Sequence, residues 1–189
     1  AAYQVKLRYI DSKVRLRGLI EVSNVCGKNC FYCGIRGGNR KVARFTMSLE
    51  EIVAAARHAA EFRYGSVVLQ AGERSDPGWV DFIENAVREI KKLDGGRLGI
   101  TLSLGEQSEE TFRRWFDAGA HRYLLRIESS DPALYATLHP ADHSYAARVE
   151  SLHLLRKTGY QVGTGVMVGL PGRRISCTTS NFSSRSMWT

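Results

Sequence analysis

Residues 17–36 read RGLIEVSNVCGKNCFYCGIR. The first part belongs to a segment, VRLRGLIEVSN (14–24), whose apolar and β-branched residues read as a strand. The second part puts three of the chain's four cysteines, Cys26, Cys30 and Cys33, into the loop that follows. A strand that runs directly into a loop dense with metal-binding side chains is how parallel α/β folds build sites, at the carboxyl ends of their strands. The fold therefore turns on whether more such units follow.

They do. Ser48–Arg63 reads as a helix, with Ser48 and Glu51 spaced as a capping box and Leu49, Ile52, Val53, Ala56 and Ala60 as one apolar stripe. SVVLQAGE (66–73) reads as a buried strand and Pro77–Leu93 as a helix with proline near its start. LGITLSLGE (98–106) is a third strand, leading to a helix from Ser108 with Phe112, Trp115 and Phe116 inward. HRYLLRIES (121–129) is the fourth, followed by a helix over Asp142–Thr158 that Gly159 stops, and QVGTGVMVGL (161–170) is the fifth. Alternation at this spacing predicts βαβ units and a parallel sheet. About four and a half units are present, against eight in a barrel of roughly 250 residues, so the pattern fits either an open sheet or about half of a barrel.

From Arg173 the text changes to RRISCTTSNFSSRSMWT, rich in Ser and Thr and without a helical stripe. The expectation is one partial domain over residues 1–172 and an unrelated, disordered tail over 173–189, with Cys177 excluded from any cysteine site. The break is what a frameshift, a truncated gene or a splice product would leave. A half barrel would also expose a long strand edge and an uncovered sheet face, so the chain by itself is expected to be poorly stable and inactive.

The composition, 43% hydrophobic and 24% charged, is that of an ordinary globular protein rather than a disordered one. No apolar run is long enough to cross a bilayer and no signal-peptide pattern opens the chain, which predicts a cytoplasmic protein, or an organellar one in a eukaryote, without a membrane partner. The net charge of +8 is local: residues 1–45 carry ten Lys or Arg against Asp11 and Glu21, which accounts for all of it. The reading preferred here is a solvated basic face around an anionic cofactor or substrate; nucleic-acid binding is the weaker alternative and is not expected.

Three clustered thiols leave an odd one and are too close in sequence for good disulfide geometry. A structural zinc site wants four ligands, and the next histidine, His58, lies twenty-five residues past Cys33 within the first helix. Three thiolates suit a [4Fe-4S] cluster with one iron left open, since clusters that only carry electrons normally use four.

The CxxxCxxC spacing, with Tyr32 before the last cysteine, resembles the signature of the radical S-adenosylmethionine (SAM) superfamily. More closely, the chain is similar to the [FeFe]-hydrogenase maturase HydE family. The likeness rests on 17–36, RFTMSLEEIV (44–53), VVLQAGE (67–73), ITLSLGE (100–106), AGAHRYLLRIES (118–129) and GYQVGTGVMVGLPG (159–172). It implies a (β/α) TIM-type barrel, of which about the first half is here, holding a [4Fe-4S] cluster and SAM. Cleavage of SAM to a 5′-deoxyadenosyl radical would serve assembly of the hydrogenase diiron subcluster. Cys26, Cys30 and Cys33 would ligate the cluster and carry the catalysis, with Tyr32 beside it. Gly72 and Glu73 would lie at the SAM amine; Ala71 stands where the superfamily motif has glycine. Ser103 and Glu128 would contact SAM polar groups, Arg148 its carboxylate and Met167 its adenosine side. Thr101 and Arg126 would hold the carboxylate of a small-molecule or organometallic substrate. The implied partners are a reductant such as flavodoxin or ferredoxin and the other maturases. Two alternatives stand beside this: another radical SAM enzyme, such as a methylornithine synthase-like mutase or a biotin synthase-like enzyme, and an iron–sulfur binding or electron-transfer protein that does not use SAM.

Overall fold

The computed structural model describes residues 1–14 and 16–170; the expected tail over 173–189, with Cys177, lies outside the described residues. Five strands lie side by side in sequence order, every neighbouring pair parallel. They are β1 (Arg17–Ser23), β2 (Ser66–Ala71), β3 (Gly99–Ser103), β4 (Arg122–Leu124) and β5 (Gln161–Gly163). The helices are α1 (Ala2–Tyr9), α2 (Leu49–Glu61), α3 (Pro77–Lys91), α4 (Glu109–Asp117), α5 (Pro132–Leu138) and α6 (Tyr145–Thr158).

The helix starts are where the side chains put them. Ser48 and Glu51 form both halves of the capping box on α2, and Asp76, Ser108, Asp131 and Ser144 cap α3, α4, α5 and α6. Gly159 closes α6 at φ 108°, a left-handed conformation in which a side chain would be strained. Two α-helices were not read from the sequence. The first, α1, buries none of its residues. The second, α5, begins with Asp131-Pro132, a cap followed by proline at the first helical position, but is only seven residues long.

Register fixes which side chains share a face. Ile20 and Val22 on β1, Val67 and Leu69 on β2, Ile100 and Leu102 on β3, Tyr123 on β4 and Val162 on β5 pack into one core with Ile52, Ile83, Val87, Phe112, Trp115 and Leu155 of the helices. Fully buried aliphatics such as Ile52, Leu69, Ile83 and Leu102 contribute about 1.5–3 kcal/mol each. Two of the aromatic residues there satisfy their polar ends: Trp115 Nε1 donates to the Val80 carbonyl at 3.0 Å, and Tyr123 Oη to the Gly105 carbonyl at 2.8 Å, whereas Trp79 Nε1 is buried without a partner. The second bond ties the core to the loop after β3.

The opposite, more open face carries Leu19 (59% exposed), Glu21, Gln70, Ser103, Leu124 and Gly163, with Val68 and Thr101 buried on it. Glu21 and Gln70 bond across it at 2.7 Å. β4 and β5 are shorter than the expected segments 121–129 and 161–170. The cause is local: beyond Leu125 the Ile127 N–H turns to Thr164 Oγ1 at 3.1 Å, and Glu128 adopts φ 61°. Pairing resumes only as an isolated bridge between Glu128 and Val166.

Candidate metal centre in the cysteine loop

Cys26, Cys30 and Cys33 leave the carboxyl end of β1 as free, partly buried thiols. Each is held by a different part of the fold. Cys26 is held from the turn after β2, where the Gly27 N–H donates to the Glu73 carbonyl at 2.9 Å and the Glu73 N–H donates to Cys26 Sγ at 3.3 Å. Gly72 lies flat against this stretch: a Cβ there would sit 2.3 Å from the Val25 oxygen and 2.5 Å from Cys26 Cβ. Gly72→Ala is therefore expected to displace Cys26, lower stability by about 1–3 kcal/mol and reduce iron uptake on anaerobic reconstitution. Unchanged melting and iron content would contradict that packing.

Cys33 is held within the loop. Its N–H donates to the Cys30 carbonyl at 3.0 Å, and its own carbonyl accepts from Arg36 Nη1 at 3.0 Å. The Arg44 guanidinium then gathers four loop carbonyls, those of Asn24, Ile35, Arg36 and Asn39, and draws the two ends of the loop together. Cys30 is bracketed from the α5–α6 connection, where Leu138, His139 and His143 bond to Phe31, Tyr32 and Asn29. Part of the basic excess of residues 1–45 is thus spent on the loop's own backbone.

Beside the thiols runs a chain of alternating charges. Lys28 lies 3.3 Å from both Glu73 Oε1 and Glu106 Oε2. Glu73 Oε2 accepts the Glu106 N–H at 2.9 Å, across Gly105, whose φ of 78° and closeness to the Glu73 side chain leave no room for a Cβ. Arg148 Nε meets Glu106 Oε1 at 2.5 Å, and its Nη1 donates to the Arg126 carbonyl at 2.7 Å. Burial raises the Glu73 carboxyl above the ordinary range despite the Glu106 N–H and Lys28. For Glu106 burial acts the same way, but Arg148 and Lys28 outweigh it and hold that carboxyl low. Arg148 is buried, not a solvated helix residue.

Glu128 is buried at the far side of this network. Its Oε1 accepts from Arg126 Nε at 3.1 Å, while Oε2 is buried without a protein partner. Burial first, then the nearby Glu128 and Cys30 charges, push the Tyr32 hydroxyl well above its usual range. Met167 donates its N–H to the Glu128 carbonyl at 2.8 Å. Ser103 ends β3, half-buried on the open face, in register with Gln70. Thr101 lies one step lower on that face. It lines a cavity of about 450 Å³ at the amino ends of the strands with Arg17, Ser66 and Arg122, and its Oγ1 is buried without a partner. Thr101 and Arg126 thus share a face at different levels.

The network brings Cys26, Glu73, Arg148, Arg126 and Glu128 together through two residues the sequence reading passed over, Lys28 and Glu106. Both sit inside quoted motifs, but a partnership across 78 positions leaves no local signal. His139 and His143 were also missed. The helix expected from Asp142 begins at Tyr145, so His143 is a loop residue whose ring accepts from the Asn29 amide in the cysteine loop.

The chain belongs to the radical SAM superfamily, whose sequence profile matches residues 20–177. Within it, the chain is similar to the [FeFe] hydrogenase maturase subunit HydE of Thermotoga maritima, at 45% identity over 175 residues, or 92% of this chain and 49% of that protein. It is 30% identical over 177 residues to the biotin synthase of Bacillus pumilus, covering 90% of this chain and 51% of that one. The crystal structure of methylornithine synthase matches the fold with a TM-score of 0.81 at 25% identity, covering 98% of this chain and 54% of that one. The chain spans about half the length of the curated relatives it matches. Among the described residues no helix is long and apolar enough to cross a membrane.

Proposed function

We propose that this chain carries the cluster- and SAM-binding portion of a HydE-like radical SAM enzyme that acts in assembly of the [FeFe]-hydrogenase diiron subcluster. The observation that carries the reading is the pairing of three separately anchored thiols with the network of Lys28, Glu73, Glu106 and Arg148. The thiols are soft donors suited to iron; the paired charges of both signs suit the ammonium and carboxylate of an amino acid ligand.

The residues fit SAM as well as the cluster. Glu128 Oε2, buried and unpartnered, is placed to accept from a ligand hydroxyl, such as those of a ribose. Gly72 and Gly105 keep the turn and loop flush so that backbone groups line the site. Cys26, Cys30 and Cys33 would hold a [4Fe-4S] cluster, with Tyr32, Ser103 and Met167 beside the SAM and Thr101 and Arg126 toward the substrate. When bound, the cluster supplies an open iron to chelate SAM and the electron that cleaves it. The protein's own tasks are to orient the ligand, exclude water and fix the direction of attack. On this reading the partners are an electron carrier such as flavodoxin or ferredoxin and the other maturases, in the cytoplasm.

The test is anaerobic reconstitution of the 189-residue chain with iron and sulfide, then dithionite and SAM, with assay for 5′-deoxyadenosine. Release of the nucleoside is expected, because the residues proposed to hold the cluster and SAM all lie within this chain; it would correct the expectation, drawn from the exposed edge and face of a half barrel, that the chain by itself is inactive. A full cluster with no nucleoside would favour an iron–sulfur binding protein, and productive SAM use with a methylornithine- or biotin-type substrate would move the chain to those relatives.

A further inference from the structure

The loop has a support that the thiols themselves do not explain. Helix α5 ends at Leu138, before His139 and Pro140, and leaves its last carbonyls to be satisfied from outside. His139 Nδ1 lies 2.8 Å from the Tyr135 carbonyl, one turn back. A carbonyl only accepts, so Nδ1 carries the proton and Nε2 is left bare. That bare Nε2 stands 3.3 Å from the Tyr32 hydroxyl, with the two rings edge to face. The next carbonyl, that of Leu138, accepts the Phe31 N–H at 2.9 Å. Four residues past His139, His143 Nε2 accepts the Asn29 N–H at 3.1 Å, which sets its tautomer in the same way. Its Nδ1 faces Asp142 Oδ1 at 2.8 Å, off the line of a hydrogen bond.

Both rings are buried, His139 to 2% and His143 to 9% exposure, and Tyr135 stacks on His139 at 3.9 Å to fix its plane. The bonds land on Asn29, Phe31 and Tyr32, so they bracket Cys30 on both sides. The α5–α6 connection leads directly into the helix that carries Arg148.

We infer that His139 and His143 are positioning residues for the cysteine loop: their unprotonated Nε2 atoms hold Tyr32 and the Asn29 amide, and so set Cys30 relative to Arg148. The inference rests on the reading of Cys30 as a cluster ligand. Neither ring ligates metal in this scheme. Each acts through the loop, by supplying an acceptor to one of its donors: His143 to the Asn29 amide, and His139 to the Tyr32 hydroxyl, which also reaches Cys30.

The experiment compares His139→Ala, His143→Ala, His139→Gln and His143→Gln in the 189-residue chain, with circular dichroism to check the fold. Two readouts are used: amide exchange in the cluster-free chain, and the electron paramagnetic resonance spectrum after anaerobic reconstitution and reduction. Exchange at Asn29 should rise about tenfold in His143→Ala, the ratio expected for one lost hydrogen bond, and largely recover in His143→Gln, whose side-chain oxygen is again an acceptor. The alanine variants should also alter the cluster spectrum, with the glutamine variants closer to wild type. Wild-type exchange at Asn29 and Phe31 in both alanine variants would overturn the inference, as would glutamine variants that behave like alanine. If the wild-type chain takes up no iron and sulfide while the exchange differences stand, the clamp on the loop is upheld and the cluster reading is what fails.

Discussion

Alanine in place of any one of Cys26, Cys30 or Cys33 is expected to reduce iron after anaerobic reconstitution from about four per chain to background, and with it all SAM cleavage. The loss should be total because each sulfur has its own support and no spare. Cys26 is gripped by the Gly72–Glu73 turn, Cys33 by Arg36 and the turn from Cys30, and Cys30 by the two histidines. Among the described residues no group of three or more His, Cys, Asp or Glu side chains is gathered that could take over. Cys177→Ala is the control and should keep its iron. Iron and sulfide measured by colorimetry, with the visible absorbance of the cluster, give the answer. A single-cysteine variant that retains a full cluster would remove the three-thiolate premise.

The second large effect is expected at Arg148. Its side chain is 9% exposed and that of its partner Glu106 17% exposed, so this is a buried pair. Arg148→Met should cost about 3–5 kcal/mol, because it leaves Glu106 buried with only Lys28, and because the Arg126 carbonyl loses its donor. Replacing both partners, Arg148→Met with Glu106→Gln, should recover much of that loss, since the uncompensated charge is then gone. The pH dependence has a definite sign. Burial would raise the Glu106 carboxyl, but Arg148 and Lys28 hold it below its ordinary 4.5, so the pair's contribution is complete above about pH 4.5. It is lost as pH falls through the depressed folded value, where Glu106 takes up its proton. Denaturant unfolding of wild type and Arg148→Met should therefore differ most near neutrality and converge in acid. A constant difference across that range would show that lost packing, not charge, is what the substitution removes.

The parallel α/β pattern was legible because each unit announces itself locally. The Ser48–Glu51 box, Pro77 at the first position of a helix and Gly159 at the end of another each act within one turn of chain, and each stands where it was read. Strand ends were less legible. RYLLRIES and QVGTGVMVGL look extended throughout, but Thr164 Oγ1 takes the Ile127 amide and Glu128 bends to positive φ, so the ladder stops at Leu124 and Gly163. A side chain that competes for a backbone donor thirty-seven residues away gives no sign in periodicity.

The site divides in the same way. The cysteines and the Gly-Glu turn are adjacent in the chain or lie at neighbouring strand ends, and their spacing exposes them. Lys28 and Glu106 become partners only once β1 and β3 stand two strands apart in one sheet. His143 was hidden by a boundary error of three residues: with Asp142 taken as the helix start, the ring would have belonged to a solvated first turn. Ser144 is the cap, and it leaves His143 in the connection facing Asn29.

All of this turns on one iron of a thiolate-held cluster being open to a ligand. The most direct measurement is the electron paramagnetic resonance spectrum of the reduced, anaerobically reconstituted chain, with and without SAM, alongside metal analysis. The account predicts iron and sulfide in the ratio of a [4Fe-4S] cluster and a spectrum that shifts when SAM is added. Zinc in the cysteine loop, or an iron–sulfur signal indifferent to SAM, would contradict it.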